Sequence, residues 1–407
     1  MMRYIVLLSA AAAAAMAGGY KIPESSINGT ALSAAYVAAS HGADAAYYNP
    51  AAMVYNEDVN LFEADMTYIG LSGIDYKGKY VPTGTLDYDI ESKKENFLVP
   101  TLHFASKKLG DSGARVGLSV VVPAGLSKRW QSAPGIYSAE EFTLETIEVN
   151  PTFAVPISDA VSFGAGFRII HSSGVVKSSA TASRDLEGDS IDYGYNLALM
   201  YKPSKELSLA ATYRSNVDLS VEGNAKIYAG LPVGTPFYDG AANVSVPVPA
   251  ALNLAAAYTF GRGTTIEAVF ERTFWSSYKN LDFDYSIALP GGLGTAFDNP
   301  KAKNYEDSNS YRLGLTQKYG KWTAMAGVAY DESPVPEKTL GFELPDSDAW
   351  IISMGGRYQL NDQWNIGLAG LVDLKKSRTI TTNDNGINGE FSNARAYLVT
   401  AGIEYRF

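Results

Sequence analysis

The sequence predicts an all-β protein: an antiparallel transmembrane β-barrel of about 14 strands, with a helical plug of small residues ahead of it. Three observations carry this. Apolar residues recur with a period of two along most of the chain, as where Val161, Phe163, Ala165, Phe167 and Ile169 alternate with Ser162, Gly164, Gly166 and Arg168. That is the period of a strand with one greasy and one wet face. After residue 17 no stretch reaches eighteen uncharged apolar residues, so a membrane can be crossed only by strands closed on themselves. Composition agrees, with 27 Tyr, 38 Gly and 12% aromatic residues at a mean hydropathy of -0.07; tyrosine suits headgroup depth, where one end of the ring is dry and the other wet.

Residues 1–17 open with Arg3 and an apolar run over 4–16 that ends in Ala15-Met16-Ala17, an A-x-A cleavage pattern. This reads as a secretory signal peptide, because the run is shorter than the roughly 20 residues of a spanning helix. Its removal takes one positive charge, Arg3, and moves the net charge from -10 to -11. An acidic chain without a basic tract is not built for nucleic acid. With no cysteine, a disulfide framework and thiolate chemistry are excluded.

Residues 18–56 are rich in Ala and Ser and lack alternation, yet Tyr36, Val37, Tyr47, Tyr48 and the Asn49-Pro50 step are poor composition for disorder. A folded hatch of short helices and turns inside the barrel is expected, since small residues pack well in confined space. Residues 57–407 form the barrel, with strands near 57–76, 86–107, 113–126, 141–157, 160–180, 188–202, 206–224, 242–260, 263–286, 305–319, 321–331, 348–360, 363–382 and 391–407. Tight turns at 202–205, 260–263, 319–321 and 360–363 contrast with long Pro-, Gly-, Asp- or Ser-rich loops at 127–141, 225–242, 289–304 and 332–347. Short turns on one rim and long loops on the other are the asymmetry of outer-membrane barrels. The last strand, 396–407, carries Tyr397, Val399, Ala401, Ile403, Tyr405 and Phe407 on one face and Thr400, Glu404 and Arg406 on the other. It should pair with the first strand, and Phe407 resembles the terminal aromatic read by barrel-assembly machinery.

Catalytic and metal-binding signatures are missing. His41, His103 and His171 are the only histidines, and no H-E-x-x-H or G-x-S-x-G is present. A barrel hydrolase would need Ser and His on adjacent strands facing outward, whereas His103 alternates with Leu102 and Phe104 and reads as a lumen residue. Asn28-Gly-Thr30 matches a glycosylation sequon, a frequent chance match. The inward-facing set Arg168, Arg214, Asp218, Arg312, Arg357 and Arg406 reads first as a hydrated interior, although a carboxylate ligand in a dry pocket would need such a cation.

Several blocks resemble the FadL/TodX-type outer-membrane transporters of long-chain fatty acids and other hydrophobic compounds. They are Asp44-Ala-Ala-Tyr-Tyr-Asn-Pro-Ala-Ala-Met53, Val149-Asn-Pro-Thr-Phe153 running on to Phe167, Tyr201-Lys-Pro203, Tyr213-Arg-Ser215, Val248-Pro-Ala-Ala-Leu-Asn-Leu254, Gly327-Val-Ala-Tyr-Asp-Glu-Ser-Pro334 and Leu344-Pro-Asp-Ser-Asp348. The resemblance implies a fourteen-stranded barrel with a hatch, a hydrophobic pocket and a kinked third strand that opens the wall sideways. Pro123, Ala124 and Gly125 supply a physical counterpart, because proline removes a ladder donor and glycine packs nothing; the other reading is that Pro123 ends the strand at the rim. The hatch gate then falls on Asn49, Pro50 and Ala51, ligand capture on Arg129 and Trp130, and the mature amino terminus, Gly18, Gly19 and Tyr20, extends into the pocket.

The function implied is passive, ligand-gated uptake of fatty acids or aromatic hydrocarbons across the outer membrane of a Gram-negative cell. Neither enzyme activity nor a cofactor or metal is expected. Expected partners are a hydrophobic small molecule, outer-membrane lipid and lipopolysaccharide, and the assembly machinery, around a monomer. The alternative is a general porin or adhesin with a structural plug.

Overall fold

A computed structural model describes residues 18–407, so the expected signal peptide lies outside the described residues. Among those residues fourteen antiparallel staves close into a barrel. They are β1 (Leu61–Leu71), β2 (Glu95–Ala105), β3 (Arg115–Val121, resumed at Gly125–Lys128), β4 (Glu141–Pro156) and β5 (Val161–Ser179). Next come β6 (Ser183–Tyr201), β7 (Leu207–Arg214, continued by Val217–Tyr228), β8 (Tyr238–Val248 with Ala251–Phe260) and β9 (Thr264–Thr273). The ring is completed by β10 (Ser308–Tyr319), β11 (Trp322–Asp331), β12 (Ala349–Gln359), β13 (Trp364–Lys375) and β14 (Arg395–Arg406). β14 pairs with β1 from Leu61↔Arg406 to Leu71↔Ala396, which leaves no open edge at the seam.

The outer face follows from alternation. On β6 Ile191, Tyr193, Tyr195, Leu197, Leu199 and Tyr201 are exposed. Ten residue steps at about 3.3 Å, tilted about 40°, give a greasy band of roughly 25 Å, the height of a bilayer core. Aromatic pairs ring it: Trp322–Tyr358 at 4.5 Å and Trp364–Tyr405 at 4.4 Å on the short-turn side, Tyr330–Trp350 at 5.1 Å on the long-loop side.

Above this band the polarity of the wall inverts. Phe142, Leu144, Ile170, Val176, Leu186, Val244 and Val246 turn inward and are buried, while Glu187, Asp189 and Glu222 face outward. On β7 the inversion is made by a bulge: eight steps from Arg214 to Glu222 oppose seven from Asn196 to Asp189 on β6. One extra residue flips every later side chain to the other face. Asp218, expected inside with Arg214, is therefore exposed on the outside, and its neighbours Val217 and Leu219 fill the interior.

Residues 18–56 occupy the lower lumen as two short helices, α1 (Ile27–Ala31) and α2 (Ala45–Tyr48), and a 3-10 segment over Pro50–Tyr55. Ser26 caps α1, its Oγ accepting from the Gly29 amide at 3.0 Å. The plug fits because the wall opposite it lacks side chains. A Cβ at Gly327 would stand 2.5 Å from the Leu32 carbonyl oxygen, and one at Gly164 2.5 Å from the Ala51 amide nitrogen. Polar wall residues hold what the glycines admit: Glu267 accepts from the Val37, Ala38 and Ala39 amides at 2.7, 2.5 and 3.1 Å. Arg357 reaches Asn28 at 2.7 Å and Glu63 at 2.6 Å. The long loops gather over the other end, where strands Asp75–Tyr80, Asp87–Glu91, Arg378–Ile380 and Ile387–Ser392 form a small sheet.

Candidate ligand pocket and gate

The long loops enclose a vestibule of about 840 Å³. Aromatic residues Tyr80, Tyr137, Phe142, Phe283 and Phe342 line it together with Arg184, Lys301 and Lys303. Arg184 lies 3.9 Å over the Phe283 ring, buried, with its Nε and Nη1 lacking partners. Lys303 is ion-paired with Glu343. Burial, with Arg184 close by, pushes the Lys301 ammonium down to about 8.

Phe142, Phe283, Lys303 and Glu343 also line the space below, so the vestibule runs on into the inverted, apolar part of the barrel. There the wall is Leu126, Leu144, Val176, Leu186, Val221 and Val246. The free volume of this pocket is about 30 Å³. Tyr20 makes its floor: the hydroxyl donates to the Pro247 carbonyl at 2.5 Å and the ring meets Trp275 edge-on at 4.8 Å. Of the amino-terminal residues Gly18, Gly19 and Tyr20, only Tyr20 lines this pocket.

Below Tyr20 the wall is interrupted. β3 stops at Val121 and resumes at Gly125. β2 pairs with it only from Leu102↔Val120 to Ala105↔Gly117, so the outer half of β2 is bonded on the β1 side alone. The break is at lipid depth, since Leu98, Leu102 and Leu118 on its two lips face outward. Pro123 does not end the stave at the rim; the chain steps aside there and continues. The freed backbone groups are taken up from inside, where Ile22 donates its amide to the Pro123 carbonyl at 3.0 Å and Gly125 donates to the Tyr20 carbonyl at 2.9 Å. Thr146 on β4 accepts from the Ala124 amide at 3.3 Å. The Ile22 side chain packs with Phe97, Val99 and Val122 along the break.

Arg129 and Trp130 bound the break at its outer end. Arg129 is ion-paired with Glu95 and, at 2.6 Å, with Glu141, and its carbonyl accepts from the Lys93 amide at 2.8 Å. Trp130 is 1% exposed, donates to the Phe342 carbonyl at 2.8 Å and packs on that ring. Both side chains are engaged within the protein, which ties loop to wall.

Asn49 is fully buried and donates to the Val37 carbonyl at 2.9 Å, while Ala51 accepts from Ser162 at 2.8 Å. These bonds join the α2–Pro50 corner to the hatch loop and to β5. Asp44 anchors the hatch interior, accepting from Ser26 at 2.7 Å and Asn28 at 3.0 Å. His103 faces the lumen between the Ser25 carbonyl at 2.8 Å and Ser119 at 3.0 Å. A ring nitrogen facing a carbonyl must carry the proton, so His103 ties hatch to wall.

Between hatch and break lies a second cavity, of about 70 Å³, lined by Lys21, Arg168, Arg214, Arg312, Glu271, Tyr47 and Pro123 among others. Sequence reasoning grouped the three arginines but missed Lys21 and Glu271, because these stand 250 positions apart in the chain and meet only when the ring closes.

A closed barrel with a lipid-facing belt and residues 18–56 packed inside it is the architecture of an outer-membrane transport protein. The chain belongs to the family described as outer membrane protein transport protein (OMPP1/FadL/TodX), which it matches over residues 8–407. It is similar to the long-chain fatty acid transport proteins of Salmonella typhi, 23% identical over 88% of this chain and 87% of that one, and of Escherichia coli K12, 24% identical over 76% and 77%. Its fold is shared with a Pseudomonas aeruginosa FadL homologue at a TM-score of 0.84 and 21% identity, covering 96% of this chain and 100% of that one. The Pseudomonas putida toluene transporter TodX also shares it, at a TM-score of 0.69 and 19% identity over 94% and 99%.

Proposed function

We propose that the protein takes up hydrophobic molecules passively, with residues 18–56 as the movable unit. A ligand caught in the vestibule enters the apolar pocket, displaces Tyr20 and leaves through the wall beside Pro123, Ala124 and Gly125, with Asn49, Pro50 and Ala51 as the corner about which the hatch adjusts. The observation that carries this reading is that one segment does both jobs: residues 20–22 floor the pocket and supply the hydrogen bonds and the Ile22 side chain that close the break. Moving the floor therefore opens the wall. Sideways exit suits greasy cargo, which then never crosses the periplasm as a free solute. Relatives named for long-chain fatty acids and for toluene support acyl chains and aromatics as the two candidate cargoes; Arg184 and Lys301 at the mouth favour a ligand with an anionic head.

Replacing both Pro123 and Gly125 with Val restores strand pairing potential at the break. Uptake of a radiolabelled fatty acid by cells expressing this variant is expected to fall about tenfold or more, while the barrel remains folded and inserted, as a bottleneck costing about 1.4 kcal/mol would produce. Undiminished uptake by a folded, sealed variant sinks the sideways route. Planar-bilayer recording separates this reading from a general porin: the intact protein is expected to carry no steady ionic current.

A further inference from the structure

The cavity between hatch and wall holds more positive charge than its carboxylates balance. Arg168 and Arg214 share Glu148, the former at 3.0 Å. Lys21 and Arg312 share Glu271 at 2.8 and 3.2 Å, and Arg312 also faces Asp331 at 3.7 Å. Four cations thus meet three carboxylates. Glu24, the remaining carboxyl near Arg312, is held neutral by burial, its pKa pushed up to about 8. Arg214 keeps Nη1 without a partner, its guanidinium lying 4.5 Å over Tyr47. An excess buried cation is costly until an anion joins it.

Size says what kind of anion. At about 70 Å³ the cavity exceeds the roughly 10–15 Å³ that one water needs, and falls far short of the about 300 Å³ of a whole-ligand pocket. A carboxylate fits; its tail must lie elsewhere, upward past Tyr20 in the apolar pocket or outward beside Pro123.

We propose that this cavity is a transit site for the anionic head of an amphiphilic ligand, a long-chain carboxylate, and that the head unlatches the wall by drawing Lys21 away from Glu271. The inference rests on the uptake route above. Lys21 stands between the two residues that hydrogen-bond the break, opposite Ala124, and its ion pair with Glu271 is the segment's electrostatic anchor to β9. A head seated on Arg214 Nη1 offers Lys21 a second acceptor. Once Lys21 shifts, residues 20–22 are held to the break by two backbone bonds and the packing of the Ile22 side chain. A neutral hydrocarbon of the same length fills the pocket but cannot make this exchange.

The chain has no cysteine, so Ile22→Cys gives a unique thiol that reports separation of the segment from the break. Its maleimide labelling rate is measured in lipid nanodiscs with dodecanoate, with dodecanol, or with neither. Dodecanoate is expected to accelerate labelling about tenfold, the worth of one charge-assisted hydrogen bond, and dodecanol to have little effect. Adding Lys21→Gln should give fast labelling without ligand; adding Arg214→Gln should abolish the dodecanoate response, with Arg214→Lys retaining part of it. Heat-dependent gel mobility shows that each barrel is folded. Equal acceleration by both amphiphiles, or an undiminished response in folded Arg214→Gln, overturns the head site while leaving the route intact. No acceleration by either, together with normal uptake through a sealed wall, removes the route as well.

Discussion

At the scale of single residues, buried polar side chains of the wall hold the hatch through its backbone. His103 reads as a lumen histidine from its neighbours alone, but nothing local says that it bonds Ser25 and Ser119. Glu267 is a stronger case. Its carboxylate gathers three consecutive hatch amides, a bond set worth about 1.5–3 kcal/mol per charged hydrogen bond. In Glu267→Ala, hydrogen exchange at Val37, Ala38 and Ala39 is expected to quicken at least about tenfold, a loss of 1.4 kcal/mol or more, with exchange in the staves unchanged. Glu267→Gln keeps one acceptor oxygen and should fall between; exchange in the alanine variant equal to the parent's would show that the hatch loop holds itself. At the vestibule the informative group is Lys301. With its ammonium depressed to about 8 by burial and by Arg184, it carries its charge at neutral pH and loses it as pH rises through about 8. Capture of dodecanoate, measured by equilibrium binding, should therefore weaken between about pH 7 and 9, and Lys301→Arg, charged throughout that range, should remove the decline. Capture of dodecanol should not change over the same interval.

At the scale of elements, strand periodicity located the staves closely but concealed where they change face. Apolar residues occupy odd positions of β7 both below and above Ser215-Asn216, so the pattern reads as one long strand. Below the bulge those positions face lipid, and above it they face the pocket. The phase shift coincides with the level at which oil lies inside the barrel instead of outside. Two inversions cancel in the sequence. The hatch was legible as a unit for a different reason: its small residues make sense only opposite a wall with equally small ones. Gly327→Val tests that fit. Its side chain meets the Leu32 backbone rather than a movable side-chain end, so it should push α1 and its following turn away from the wall at a cost of about 1–3 kcal/mol. The expected result is a barrel that folds and inserts but passes ions in planar bilayers. Gly370→Ala, whose added Cβ meets only the Leu398 carbonyl at 3.9 Å, should stay closed. A closed Gly327→Val channel would mean that the hatch can yield without opening a path.

At the scale of the whole molecule, the number of staves and their closure were legible because each property is local or follows from its neighbour, whereas the pocket depends on which loops meet over the mouth. The seam carries one further backbone pair beyond Leu61↔Arg406. Phe407 exchanges backbone hydrogen bonds with Asn60 at 3.0 and 2.9 Å, and its ring stacks on Tyr405 at 5.4 Å on the lipid-facing side. Two roles therefore meet in Phe407, sealing the β1–β14 seam and presenting the aromatic ring proposed as an assembly signal, and substitution can part them. Deleting Phe407 removes both the seam bonds and the ring. Phe407→Ala removes the ring and leaves the backbone exchange with Asn60 in place. If the ring is what assembly reads, both variants should reach the outer membrane at similarly reduced levels, measured by fractionation, and whatever is inserted in Phe407→Ala should resist heat unfolding nearly as the parent does. If the seam bonds dominate, Phe407→Ala should insert at parental levels and only the deletion should be deficient. Parental levels and parental heat resistance in both would show that the pairing from Leu61↔Arg406 onward closes the barrel without help from the final residue.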